Sequence, residues 1–185
     1  MPVQYVEART PEPELARAAL TELGNAAGVA GAAGVTDDGR LVALLDVRPA
    51  AAQDGGHAAW DAALEAASAR DVQVEPATET SPFVADLPVR CGFAQVLRGR
   101  VPDRPEFERV LRADGEWLAR ERPEILGGLL AWHDGDRFTL VVCFTDEAAA
   151  RAGEAKNAES PGADIDQLMD DVTYVELRGP WTRPV

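Results

Sequence analysis

Asp114 is the residue whose type and setting most readily suggest chemistry. Phe107, Val110, Leu111, Trp117 and Leu118 recur with the 3.6-residue period of a helix, and Asp114 falls on the same apolar stripe. A carboxylate facing apolar surroundings is costly unless paired, and burial raises its pKa toward values that suit proton abstraction. Three other side chains could share a cavity with it: Gln95 on a strand-like segment upstream, Trp117 one turn farther along, and Tyr174 on a strand near the C-terminus. Together they would supply a base, hydrogen-bonding groups and an aromatic wall. The plainer reading of Asp114 is a polar residue at the solvated border of a helix stripe.

Other reactive side chains carry less. His57 and Trp60 stand three apart on an alanine-rich helix, so both could face one pocket as proton acceptor and aromatic platform. Asp54-Gly55-Gly56 reads instead as the end of a loop, which puts His57 at an exposed helix start and leaves Trp60 for packing. His133, beside Trp132, falls at a hairpin mouth, where an exposed histidine is expected. Cys91 and Cys143 are too few for a disulfide framework and lack zinc-site spacing. They are expected to be reduced thiols at opposite ends of parallel neighbouring strands, too far apart to bond. There is no glycine-rich phosphate loop, nucleophile elbow or metal-spaced ligand set, so no cofactor and no metal is expected. Gly127-Gly128 lies in a strand, where close packing of a helix would account for it.

The formal net charge of −14 narrows the partners. Six basic against fourteen acidic residues precede Phe93, and twelve against eighteen follow from there, −8 and −6, so neither half offers the basic stripe that a phosphate backbone requires. Nucleic acid and anionic membrane are not expected as partners. With no apolar run of spanning length and no leader pattern at Met1 to Arg9, the expected location is the cytoplasm, as monomer or homodimer.

The elements that must position these residues are clearest in the second half. Phe93 to Val101 alternates as a strand, with Phe93, Gln95 and Leu97 on one face and Ala94, Val96 and Arg98 on the other. Asp103 and Pro105 predict a helix start, and Pro123 ends the helix. Ile125 to Trp132 and Arg137 to Phe144 are two strands joined through His133-Asp134-Gly135-Asp136, where Asp-Gly can supply the positive φ angles of a tight turn. Thr145 caps an alanine-rich helix with Asp146 and Glu147 in its first turn, and Val172 to Arg178 is the last strand.

The first half repeats this order: strand Val3 to Arg9, helix Pro11 to Leu23, strands Val29 to Thr36 and Arg40 to Val47, helix His57 to Arg70, strand Val72 to Glu75. The pairs Gln4/Gln95, Pro13/Pro105, Arg40/Arg137 and Asp71/Asp171 are offset by 91, 92, 97 and 100 residues, a drift that short loop insertions explain. The expected class is α+β, with two tandem ferredoxin-like βαββαβ units of antiparallel sheet at residues 1–75 and 93–185. The connector, residues 76–92, has Phe83, Val84 and Leu87 to lay against the fold.

Pro105-Glu106-Phe107 through Leu118, Pro123-Glu124-Ile125-Leu126-Gly127-Gly128, and Arg137-Phe138 to Phe144-Thr145-Asp146-Glu147 resemble the antibiotic biosynthesis monooxygenase type of dimeric α/β barrel, over about half the chain. The resemblance implies two ferredoxin-like units closing their sheets on one another, here within one polypeptide. It also implies a functionally mixed family: cofactor-independent oxygenases of anthrone-like aromatics, haem-degrading enzymes, isomerase-like relatives and others. The haem-degrading branch resembles a set of strand asparagine with helix tryptophan and histidine. Gln4 and Gln95 stand at the strand positions, and Asp146 to Asn157 has neither aromatic residue nor histidine, which disfavours that branch.

Two functions follow as expectations. One is cofactor-independent oxidation of a small aromatic molecule, carried by Gln95, Asp114, Trp117 and Tyr174 between sheet and helices of the second unit. The other is a non-catalytic binding or interaction module whose inward faces are packed solid with Phe93, Leu97, Leu129, Leu140 and Val175. A haem or metal carrier ranks below both.

Overall fold

Central strands buried on both faces and helices buried on one give, in chain order, β1 (Gln4–Arg9), α1 (Pro13–Leu23), β2 (Val29–Val35), β3 (Arg40–Val47), α2 (Gly55–Ala66), β4 (Arg70–Pro76), β5 (Glu79–Pro82), β6 (Phe93–Arg100), α3 (Arg104–Glu121), β7 (Ile125–Trp132), β8 (Arg137–Phe144), α4 (Glu147–Asn157), a short 3-10 helix (Ile165–Leu168), β9 (Asp170–Arg178) and β10 (Trp181–Arg183). The computed structural model describes residues 3–23, 29–47, 55–157 and 165–185; within these, the side chains of residues 47, 55–58, 114, 116, 157 and 166 are outside the description.

The strands form two five-stranded sheets, ordered β10-β2-β3-β1-β4 and β5-β7-β8-β6-β9, with antiparallel pairing throughout. Each half is a βαββαβ ferredoxin-like unit, and the repeat extends to register. Arg9 stands opposite Arg40 and Arg70, as Arg100 stands opposite Arg137 and Asp170. The pairing slips between Glu7 and Arg9, and again between Arg98 and Arg100. Asp71 and Asp171, near the starts of β4 and β9, both adopt left-handed backbone, at φ 52° and 53°. Aspartate tolerates that conformation better than most residues, because its short polar side chain can bond locally.

The fifth strand of each sheet is one that the βαββαβ reading of the sequence does not include. β5 leaves the first unit and pairs with β7 of the second, while β10 leaves the second unit and pairs with β2 of the first. At four and three residues these strands are too short for alternation to register as a signal. Their exchange covers one edge of each sheet and ties the units together.

The sheets face each other across a shared apolar core that includes Tyr5, Val42, Leu44, Val96, Leu129, Val141, Val175 and Leu177. A second core lies between the first sheet and α1 and α2, and a third between the second sheet and α3 and α4. The residues expected to pack the inward faces, Phe93, Leu97, Leu129, Leu140 and Val175, divide between two layers. Phe93, Leu97 and Leu140 belong to the helix layer, whereas Leu129 and Val175 belong to the inter-sheet core.

Local chemistry accounts for most boundaries. The Asp103 carboxylate accepts from the Glu106 backbone N–H at 3.1 Å, and the helix ends at Arg122, whose N–H donates to the Leu118 carbonyl at 2.8 Å. The cap of α4 is Asp146 rather than Thr145, its carboxylate accepting from the Ala149 N–H at 2.8 Å. α2 stops at Ala66, short of Arg70, and Ser68 turns left-handed at φ 49°. In the β7–β8 turn Gly135 alone has positive φ, at 77°, and the His133 N–H donates to the Arg137 carbonyl at 3.0 Å.

Gly127-Gly128 also receives a correction. A Cβ at Gly127 would collide with the Asp86 carbonyl oxygen, and the Gly128 N–H donates to the Ala85 carbonyl at 2.9 Å. The connector, not a helix, needs the missing side chain. Phe83 and Leu87 are buried there, as their apolar character suggested. Among the described residues no helix is long and apolar enough to cross a membrane.

Candidate functional site

Strand alternation fixes which of the expected site residues can meet. Val96 and Val175 point into the inter-sheet core, so their neighbours Gln95 and Tyr174 point to the helix side of the second sheet. There Gln95 Nε2 donates to Glu154 Oε1 of α4 at 2.5 Å, so α4 is the helix that holds it. Tyr174 lies on the neighbouring strand opposite Leu97 and is 56% exposed. Trp117 is half-buried on α3. Asp114 belongs to the same helix, but its side chain lies outside the described residues.

The layer between α3 and the second sheet is unevenly filled. At one end Phe107 is fully buried, edge-on to Trp132 with ring centres 5.8 Å apart and 5.7 Å from Phe138. Toward the other end Leu97, Leu111, Leu118, Ile165, Leu168 and Met169 are only partly buried against that core. Below, the ion pair of Arg122 and Glu124 is almost buried, and a side chain at Gly153 of α4 would collide with it. In the helix layer of the first unit Ala16, Leu20, Leu23, Trp60, Ala63 and Ala67 are buried together, which gives Trp60 the packing role expected of it. The His57 side chain lies outside the described residues.

A second polar constellation, which the sequence did not suggest, crosses the seam between the units. Arg98 of β6 pairs with Glu75 of β4 and lies over the Tyr5 ring of β1, 3.8 Å from its centre. Tyr5 donates to Glu7 at 2.8 Å, and Glu7 pairs with Arg40 at 2.8 Å. Burial and the bond to the Glu7 carboxylate push the Tyr5 phenol well above its ordinary range.

His133 anchors the other end of this chain and corrects the expectation of an exposed histidine, since only 2% of it is exposed. Its Nδ1 lies 3.0 Å from the Pro76 carbonyl oxygen, which can only accept, so Nδ1 carries the proton. Nε2 then accepts from the Thr139 hydroxyl at 2.9 Å, and the Thr139 oxygen accepts from Arg98 Nε at 3.2 Å. Burial, opposed by the Pro76 carbonyl and by Glu75, lowers the imidazole pKa. Both ring nitrogens are used, so the group orients strands rather than shuttling protons. Sequence could not reveal this, because its partners come from β4, β6 and β8.

The cysteines need the largest correction. β6 and β8 are antiparallel, with Ala94 opposite Cys143, so the start of β6 lies beside the end of β8. The Gly92 N–H donates to the Phe144 carbonyl at 3.1 Å, the Cys91 thiol donates to the Phe93 carbonyl at 3.0 Å, and both cysteines are buried in the inter-sheet core. The expectation of parallel neighbours with the cysteines at opposite ends does not hold, because the two strands run antiparallel. Cys91 also lines an open cleft of about 490 Å³, bounded by Thr21, Val89 and Arg90 and by Trp181, Thr182 and Arg183 of β10. Among the described residues no group of three His, Cys, Asp or Glu side chains is arranged to hold a metal ion.

No protein-family model and no curated protein sequence matches the chain. Solved structures do. A proposed monooxygenase from Lactobacillus acidophilus NCFM superposes with a TM-score of 0.66 at 11% identity, covering 95% of this chain and 92% of that one. An uncharacterised ferredoxin-fold protein of Listeria monocytogenes, related to antibiotic biosynthesis monooxygenases, gives 0.54 at 11% identity over 97% and 95%. A heme-degrading enzyme of Listeria monocytogenes gives 0.54 at 10% identity over 96% and 99%. At such identities the likeness is one of fold. Two exchanged ferredoxin-like sheets in one polypeptide, superposing on these chains nearly end to end, give this protein the fold of the antibiotic biosynthesis monooxygenase-like α/β barrels.

Proposed function

We propose that the second unit binds a small, largely apolar aromatic molecule between its sheet and α3, and that the chemistry is cofactor-independent oxidation by dioxygen. The observation that carries the reading is the uneven helix layer, where Leu97, Leu111, Leu118, Leu168 and Met169 are only partly buried while Phe107, Trp132 and Phe138 are sealed, with half-buried Trp117 on the same helix. Apolar side chains left half-covered beside a few polar groups are what a small-molecule site requires. Trp117 and Tyr174 would form aromatic walls, Gln95 would hold a substrate oxygen, and Asp114 would take a proton from the substrate. The resulting carbanion reduces dioxygen: for a methylene carbon, one oxygen atom ends in the new carbonyl and the other leaves as water with the two hydrogens.

The test is oxygen uptake by the purified protein with anthrone and quinol substrates, alongside equilibrium binding of the same compounds. Accelerated uptake, lost in Asp114→Asn, is the expected result. Absence of both uptake and binding would overturn the proposal. A second reading, binding without turnover, is favoured by the bond that already occupies the Gln95 amide on Glu154. It is distinguished by saturable binding with no oxygen consumed.

A further inference from the structure

We propose that the cleft beside β10 binds a small aromatic carboxylate, with Arg90 and Arg183 holding its charge and Trp181 and Val89 its ring. The site shares no residue with the α3 layer. Its walls come from three parts of the chain: Thr21 of α1, residues 89–91 of the connector, and residues 180–183 at the exchanged strand.

Charge points to an anion. The chain carries a formal net charge of −14, yet the charged residues lining the cleft are two arginines, and no carboxylate stands among them. Arg90 is exposed and makes no ion pair among the described residues, whereas Arg40, Arg98, Arg104 and Arg178 each hold a carboxylate. A guanidinium left open at a concave surface draws small anions to it, and its fork of N–H donors matches a carboxylate.

Apolar surface points to a ring behind that charge. The cleft, at about 490 Å³, falls within the range of about 300–1,000 Å³ usual for small-molecule sites. Val89 is 74% exposed and Trp181 is half-buried. An inorganic anion would leave both wet, while a planar ring laid against them buries apolar area and can stack on the indole.

Thr182 supplies the polar complement. It is only 5% exposed, and its buried hydroxyl oxygen has no hydrogen-bond partner. Buried hydroxyls are nearly always paired, so an orphan in the wall of a cleft marks a place for an acceptor. Strand alternation sets Thr182 on the inter-sheet side of β10, opposite Ala32, where Cys91 is its neighbour in the cleft wall. The Cys91 thiol already donates to the Phe93 carbonyl, which leaves the Thr182 hydroxyl to meet a ligand oxygen after a turn about χ1.

The experiment titrates the whole chain with 2-naphthoate and with uncharged 2-naphthamide, by calorimetry and by amide chemical shifts. The expected result is saturable binding of one naphthoate that weakens as sodium chloride rises, shifts gathered at residues 89–91 and 181–183, and roughly tenfold weaker binding of the amide. Arg90→Gln, at an exposed position that folding does not depend on, should weaken naphthoate by about tenfold. Thr182→Val, which keeps the shape and removes the hydroxyl, should weaken it by about threefold or more. Equal affinity for naphthoate and naphthamide, or unchanged affinity in either variant, would overturn the proposal. Naphthoate shifts centred on α3 with none on β10 would also overturn it, and would leave the α3 site standing.

Discussion

Arg98 of the second unit lies over the Tyr5 ring of the first, its guanidinium carbon 3.8 Å from the ring centre, while the same side chain pairs with Glu75 at 2.5 Å. One side chain thus joins β6 to β1 and β4 of the other sheet. Its removal leaves the partly buried Glu75 without this partner and uncovers Tyr5. Arg98→Ala is expected to cost about 2–3 kcal/mol in chemical denaturation. Arg98→Lys should restore less than half, because an ammonium can meet the carboxylate but cannot also stack and donate to Thr139. An alanine variant as stable as the parent would reduce the seam to surface decoration.

His133 makes stability depend on pH in a definite direction. Its folded pKa lies below the ordinary 6.5 because burial disfavours the imidazolium. Between these two values the unfolded chain binds more protons than the folded one, so the free energy of unfolding falls as pH falls. The loss begins near pH 6.5 and is complete once pH passes below the folded pKa. Unfolding midpoints measured across that window should decline in the parent and stay nearly flat in His133→Asn, which keeps polar atoms but does not titrate. A His57→Gln background removes the other histidine from the comparison.

How far the sequence discloses these features depends on how local their causes are. The β7 and β8 spans, the Asp103 cap and the repeated unit were legible because alternation, capping and offset are written in neighbouring residues. β5 and β10 were not, since three or four residues carry no period and their partners lie in the other unit. His133 and the cysteine pair were misjudged for a related reason. Burial of a histidine at a hairpin mouth depends on the Pro76 carbonyl of a distant strand, and the placing of both cysteines in one core depends on the direction in which β8 runs. Of the expected site, Gln95 and Tyr174 share a face, as alternation implies, whereas the bond from Gln95 to Glu154 required knowing how α4 docks.

The exchanged strand offers a third prediction. β10 sets Trp181, Thr182 and Arg183 against Ala33, Ala32 and Gly31, and Trp181 packs on the core of the first unit. Deleting residues 180–185 would expose the edge of β2 and one wall of the Cys91 cleft. A loss of roughly 1–3 kcal/mol is expected, together with self-association through the open edge. Sedimentation velocity at increasing concentration checks this: a truncated chain that remains as stable and as monodisperse as the parent would show that β10 contributes little.

Two aromatic residues on the same helix separate folding from binding. Phe107 is fully buried and touches Trp132 and Phe138, so Phe107→Ala should cost about 3–4 kcal/mol through lost burial and the cavity left behind. Trp117, ten residues on, is only half-buried. Truncating it removes less surface from the core, and Trp117→Ala should cost no more than about 1–2 kcal/mol. If the half-covered end of the layer is where an aromatic molecule binds, that mild variant should nevertheless weaken binding of the anthrone probe by tenfold or more, since a stacked aromatic wall and its buried area are lost together. Equal losses of stability at both positions, or unchanged binding in a folded Trp117→Ala, would place Trp117 in the core alone and move the site elsewhere.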